Sequence, residues 1–138
     1  MIVRKGNENI LMKPEDIAFF SSENKTVYAF DTAGKKYVAD KNLCELEQQL
    51  DPDVFFRINR QHIVNVNFVK SYRSFEKVKL QVELKTPVIC NQMIVSKETA
   101  PSFRRWIMGE WDSEISIENK NTKAEYLSLY CTFWNDQQ

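Results

Sequence analysis

A chain of 138 residues has material for one domain with a core and a tail, and too little for two full-sized domains. Its 19 Lys and Arg balance 19 Asp and Glu, so net charge alone points to no partner, while 43% hydrophobic and 28% charged residues exclude general disorder. Three dispersed cysteines (Cys44, Cys90, Cys131) beside a single His62 exclude a disulfide framework and an ordinary Cys/His zinc site, and no apolar run nears the roughly 18 residues that cross a bilayer.

In chain order, the apolar residues Ile17, Phe19 and Phe20 within 16–22, and Val27, Tyr28 and Phe30 within 26–32, predict two strands joined as a hairpin by the Ser-Glu-Asn stretch between them. Ala33-Gly34 then turns the chain into a strand over 36–39. At Asp40 the period changes. Leu43, Leu46 and Leu50 stand at i, i+3 and i+7 behind an Asp able to cap free N–H groups, which predicts a short helix closed by Asp51-Pro52. Strand character returns over 55–58, 68–75, 77–84 and 88–95, with clean alternation through Val78, Leu80, Val82 and Leu84. Pro101 in a tolerated first-turn position and the Phe103, Trp106, Ile107 face predict a second helix over 99–108. Beyond Trp111 the chain is acidic and polar, apart from an apolar cluster at Tyr126, Leu127, Leu129, Tyr130, Phe133 and Trp134, and periodicity assigns it no structure.

The overall neutrality is a cancellation. Residues 1–110 hold 17 Lys and Arg against 14 Asp and Glu, and residues 111–138 hold 2 against 5. Within 57–79, Arg57, Arg60, Lys70, Arg73, Lys77 and Lys79 face the single acid Glu76, interleaved with Asn59, Gln61, Asn65, Asn67 and several hydroxyls. Such cations replace condensed counterions on a phosphate backbone, and Arg, Asn and Gln can read base edges. The solvated face of an antiparallel sheet produces the same imbalance, and composition leaves both readings open.

The run Phe55-Phe56-Arg57-Ile58-Asn59-Arg60-Gln61-His62-Ile63-Val64-Asn65 resembles the signature of LytTR-type DNA-binding domains, in which an aromatic-Arg strand leads to a polar turn and an apolar pair followed by Asn. The Asp16-Ile17-Ala18-Phe19-Phe20 opening, the Leu43 helix, the Val69 strand and Val95-Ser96-Lys97 before the Phe103-Trp106 helix follow in that family's order, so the resemblance covers roughly 2–108. It implies a mainly β, compact LytTR-like fold of about ten short strands with two short helices, which enters major grooves of double-stranded DNA with loops instead of a recognition helix. It also implies a transcriptional regulator that docks as a monomer on direct-repeat half-sites. The output half of a two-component response regulator, with a receiver domain in the same parent chain, or a stand-alone relative governed by a signalling partner, is then expected. The domain is expected over 1–109, with an acidic and aromatic extension over 110–138 that could mediate self-association.

Carried over by position, the resemblance assigns DNA contact to Asn59, Arg60 and Gln61 in the polar turn, with Arg60 the leading base reader because its fork matches guanine O6 and N7. Lys25 and Thr26 match a second contacting loop, and Ser96 and Lys97 a third. Arg57, Lys70 and Arg73 are candidate phosphate contacts, although Arg57 could equally brace the turn; Asn65 reads as structural. The family often carries His at 59, Ser at 61 and Arg near 97, and Asn59, Gln61 and Lys97 keep hydrogen-bonding ability without carrying over the target sequence.

His62 reads as a packed histidine, Cys90 as a half-buried strand residue and Cys44 as core. Without GxGxxG, a Walker loop, GxSxG or HExxH, the chain is expected to be neither an enzyme nor cofactor-dependent. A reducing, cytoplasmic setting without membrane attachment is expected. The rival from another class is a β-rich protein-interaction module without DNA binding.

Overall fold

The computed structural model describes residues 1–85 and 93–108. Among the described residues, ten strands and two α-helices follow one another as β1 (Ile2–Lys5), β2 (Glu8–Leu11), β3 (Ile17–Glu23), β4 (Thr26–Asp31), β5 (Lys36–Ala39), α1 (Leu43–Gln49), β6 (Phe55–Arg57), β7 (His62–Asn65), β8 (Val69–Phe75), β9 (Lys79–Leu84), β10 (Met93–Val95) and α2 (Ala100–Ile107). They form a seven-stranded sheet in the order β2-β1-β5-β4-β3-β7-β6 and a three-stranded sheet in the order β10-β9-β8. Neighbouring strands are antiparallel throughout. The mainly β fold read from the sequence is the fold observed, and both helices stand where periodicity put them. The expected strand over 88–95 is described from Met93 onward, and the acidic tail with Cys131 lies outside the described residues.

The centre of the large sheet is apolar on both faces. One face packs Ile17, Phe20, Val27, Ala29 and Ile63 with Leu43, Leu46 and Leu50 of α1. The other packs Phe19, Phe30 and Val64 with Leu80 and Val82 of the small sheet and Phe103 and Trp106 of α2. A strand covered on both faces loses the polar half of its alternation, which is why Ile17-Ala18-Phe19-Phe20 is a continuous run. The pairing of β3 with β4 slips by one residue between Ile17 and Phe19, and that bulge reverses the parity, so Ile17 and Phe20 share a face although three positions apart. Phe19 and Phe30 stack with ring centres 4.4 Å apart on the opposite face, a contact that adds about 0.5–1.5 kcal/mol to simple burial.

The caps differ from expectation in one place. Asn42, not Asp40, begins α1, its side chain accepting from Glu45 N–H at 2.8 Å. Asp40 instead pairs with Arg4 of β1 at the surface. At α2, Pro101 occupies the first turn as predicted, but the Thr99 hydroxyl turns away from its own helix. It donates to Ile58 O at 2.9 Å, tying the start of α2 to the end of β6. Asn65 is fully buried and structural as read: its amide donates to Ile17 O and its oxygen receives Asn67 N–H.

Candidate nucleic-acid interface

The polar turn lies between β6 and β7, whose pairing of Arg57 with Ile63 leaves residues 58–62 to reverse the chain. Ile58 N–H donates to His62 O at 3.1 Å and closes the loop. Inside it the Asn59 side chain makes three contacts. Its Oδ1 accepts Gln61 N–H at 2.7 Å and faces His62 Nδ1 at 3.1 Å, while its Nδ2 donates to Ile94 O of β10 at 2.7 Å. With Nδ2 committed as donor, Oδ1 must accept from the ring, so His62 carries its proton on Nδ1.

Beneath the turn stands Arg57, with 5% of its side chain exposed. Its Nε donates to Asn59 O at 3.2 Å, its Nη2 to Arg60 O at 3.0 Å, and its Nη1 to Glu47 Oε1 of α1 at 3.0 Å. Nη1 also meets Cys44 Sγ at 3.3 Å. The guanidinium therefore faces inward, and of the two roles open to Arg57 this geometry favours bracing the turn over reaching a phosphate. Glu47 is equally enclosed. Removing two charges from water costs several kcal/mol per ion, and here a close ion pair together with two carbonyl acceptors offsets that cost.

The three loops assigned to DNA meet along this hairpin. Ser22 N–H, near the tip of β3, donates to Gln61 O at 2.8 Å, and Ser96 N–H donates to Ile58 O at 3.0 Å. The turn at 59–61 is thus hydrogen-bonded to the base of the Asn24-Lys25 hairpin on one side and to the Ser96-Lys97 entry of α2 on the other. Lys25, Arg60, Gln61 and Lys97 are exposed, and Thr26, Asn59 and Ser96 are half-buried. Lys70 and Arg73 belong to a different element: both sit on β8 and are engaged by β9, Lys70 with Glu83 at 3.6 Å and Arg73 Nη2 with Gln81 Oε1 at 3.0 Å.

Two residues that hold this site escape a reading by residue type. Glu47 looks like a solvent charge, yet it stands four residues after Leu43 and so falls on the apolar stripe of α1, a signal the sequence did carry. Thr99, the first residue of the helix predicted over 99–108, gives no sign in the sequence of its bond to Ile58. His62 is buried, which pushes its pKa below the ordinary 6.5, with the Glu23 carboxylate pulling more weakly the other way. Among the described residues no cluster of three or more His, Cys, Asp or Glu could hold a metal, and no helix is long and apolar enough to cross a membrane.

Comparison with known proteins agrees with this architecture. Residues 7–108 match the family model of the LytTr DNA-binding domain. Among solved structures, a LytTr DNA-binding domain of a protein described as a methyl-accepting/DNA response regulator from Bacillus cereus superimposes with a TM-score of 0.69 at 20% identity, over 78% of this chain and 94% of that one. No curated protein matches.

Proposed function

The chain belongs to the LytTR family of DNA-binding domains, and from that premise we propose that it is a sequence-specific transcriptional regulator that reads major grooves with loops. The carrying observation is the junction of three loops on one hairpin, through Ser22 N–H to Gln61 O and Ser96 N–H to Ile58 O, which presents Lys25, Arg60, Gln61 and Lys97 from a common base. A rim of this kind suits two tasks at once: exposed lysines meet phosphates, and Arg60 and Gln61 supply the forked and amide groups that distinguish base edges. Neither helix fits the role of a groove reader. Both are short, α1 exposes the acidic Glu45 and turns Glu47 inward to Arg57, and α2 spends Phe103 and Trp106 on the core.

Under this reading the domain docks as a monomer on each half-site of a direct repeat, and a receiver domain or signalling partner controls it as the output module of a two-component system in the cytoplasm. Titration of labelled promoter-derived duplexes, followed by fluorescence anisotropy at several salt concentrations, tests the central claim. A subset of duplexes should bind well above the non-specific level, with affinity falling steeply as salt rises. Binding no stronger than non-specific, without a salt slope, would sink the DNA reading in favour of a protein-interaction module.

A further inference from the structure

The proposed base readers, Arg60 and Gln61, project from a turn whose own backbone is held by buried side chains of other elements. Arg57 spans the carbonyls of Asn59 and Arg60 and is in turn gripped by Glu47 of α1. Asn59 stands among the residues aligned with DNA contact, but both ends of its amide are spent internally, on Gln61 N–H and His62 Nδ1 at one end and Ile94 O at the other. A side chain with these three bonds has little left to offer a base edge, since turning outward would break all three at once.

We infer that Glu47, Arg57 and Asn59 are positioning residues that set base-pair discrimination without touching DNA, by fixing the turn from which Arg60 and Gln61 reach the groove. The inference rests on the DNA reading above and deepens it. Bidentate recognition of a base edge tolerates little angular error, so a turn held in one geometry before binding discriminates better than a mobile one carrying the same side chains. Phosphate contact by flexible lysines has no such requirement. Loosening the turn should therefore erode specificity while leaving the electrostatic part of affinity intact.

The two parts of the grip call for different variants. Removing Arg57 alone strands the Glu47 carboxylate in the core and endangers folding, so the informative variant removes both charges: Glu47→Leu with Arg57→Met, a replacement by apolar groups of similar volume that proteins often accept without loss of stability. Asn59→Ala serves for the other part. Each is compared with the parental chain for the ratio of cognate to non-specific affinity, for the salt slope, and for hydrogen exchange at the Gln61 amide. The expected result is folded protein, a ratio lowered about tenfold, an unchanged salt slope and faster exchange at Gln61. Full discrimination in the double variant would overturn the inference. So would a shallower salt slope in the double variant, which would make Arg57 a phosphate contact, or an Asn59→Ala defect confined to one base pair, which would make Asn59 a reader. A parental chain without sequence preference overturns the DNA reading itself and takes this one with it.

Discussion

Two turns on the same rim are built in opposite ways. The turn at 59–61 is held by side chains: Arg57 and Asn59 fill it from within, and β10 and α1 grip it from outside. The Asn24-Lys25 connection between β3 and β4 takes its shape from the backbone, a two-residue link between paired Glu23 and Thr26 with φ of 50° and 69° at its centre, with the surface Glu23–Lys36 ion pair at its base. That is the geometry that matches the twist of a tight hairpin, and it normally favours glycine at the second place. Under the DNA reading proposed above, the difference separates two jobs. A turn that must aim a planar group at a base is supported in three dimensions, whereas one that offers a cation to a phosphate needs only to be in the neighbourhood.

The largest effect should come from breaking the internal grip. Arg57→Ala leaves Glu47 enclosed without its counter-charge and frees two carbonyls, and should cost about 3–5 kcal/mol in urea unfolding. The double replacement of Glu47 and Arg57 should recover most of that loss. A cost below about 1 kcal/mol for the single variant would show that water reaches Glu47 and that the turn is less braced than its geometry states.

Next comes the group that the grip presents. Arg60→Ala should weaken binding to the cognate duplex by about 1–3 kcal/mol and relax the preference at one base pair. An equal loss on every sequence would instead assign Arg60 to phosphate and remove the contrast between the two turns.

A smaller effect is expected from pH, again at the braced turn. Burial holds the folded-state pKa of His62 below 6.5, so well above that value the ring is neutral in both states and contributes no pH dependence. As pH falls below 6.5 the unfolded chain takes up a proton that the folded chain refuses, and stability declines until the folded-state pKa is reached. His62→Asn keeps a donor for Asn59 Oδ1 and removes the titration. Thermal unfolding between about pH 5 and pH 7 should show a steeper decline for the parental chain than for the variant. Matching slopes would mean that the ring is more solvated than its position indicates.

How far these regions were legible in the sequence follows the same division. Hairpins with one wet face announced themselves by period, as Leu80, Val82 and Leu84 did for β9, and α2 was visible from Phe103, Trp106 and Ile107 because a single stripe faces the core. The edge strand β2 and its neighbour β1 were not, since four-residue strands with one core residue, Val3, lack enough alternation to register. The polar turn was legible as a motif, but its support was not: Asn59 and Arg57 carry the same residue types whether they point at DNA or at a carbonyl. Only Glu47 could have been found, because a carboxylate on the apolar stripe of a short helix has to meet a cation.

The backbone-held turn supplies the smallest and most discriminating test. Lys25 sits at φ 69°, in the left-handed region where a side chain is strained by roughly 1–2 kcal/mol, and glycine relieves that strain at an entropic cost of about half as much. Lys25→Gly should therefore leave stability unchanged or raise it by up to about 1 kcal/mol in urea unfolding. If the lysine is held there for phosphate, the same substitution should lower the slope of log affinity against log salt by about 0.9, with the loss equal across cognate and unrelated duplexes. The two readouts then move in opposite directions, stability up and binding down, which is the signature of a residue kept for its charge against the preference of its backbone. A loss concentrated on the cognate duplex would make Lys25 a base reader. The hairpin would then aim a side chain without internal support, and the contrast between the two turns would fail.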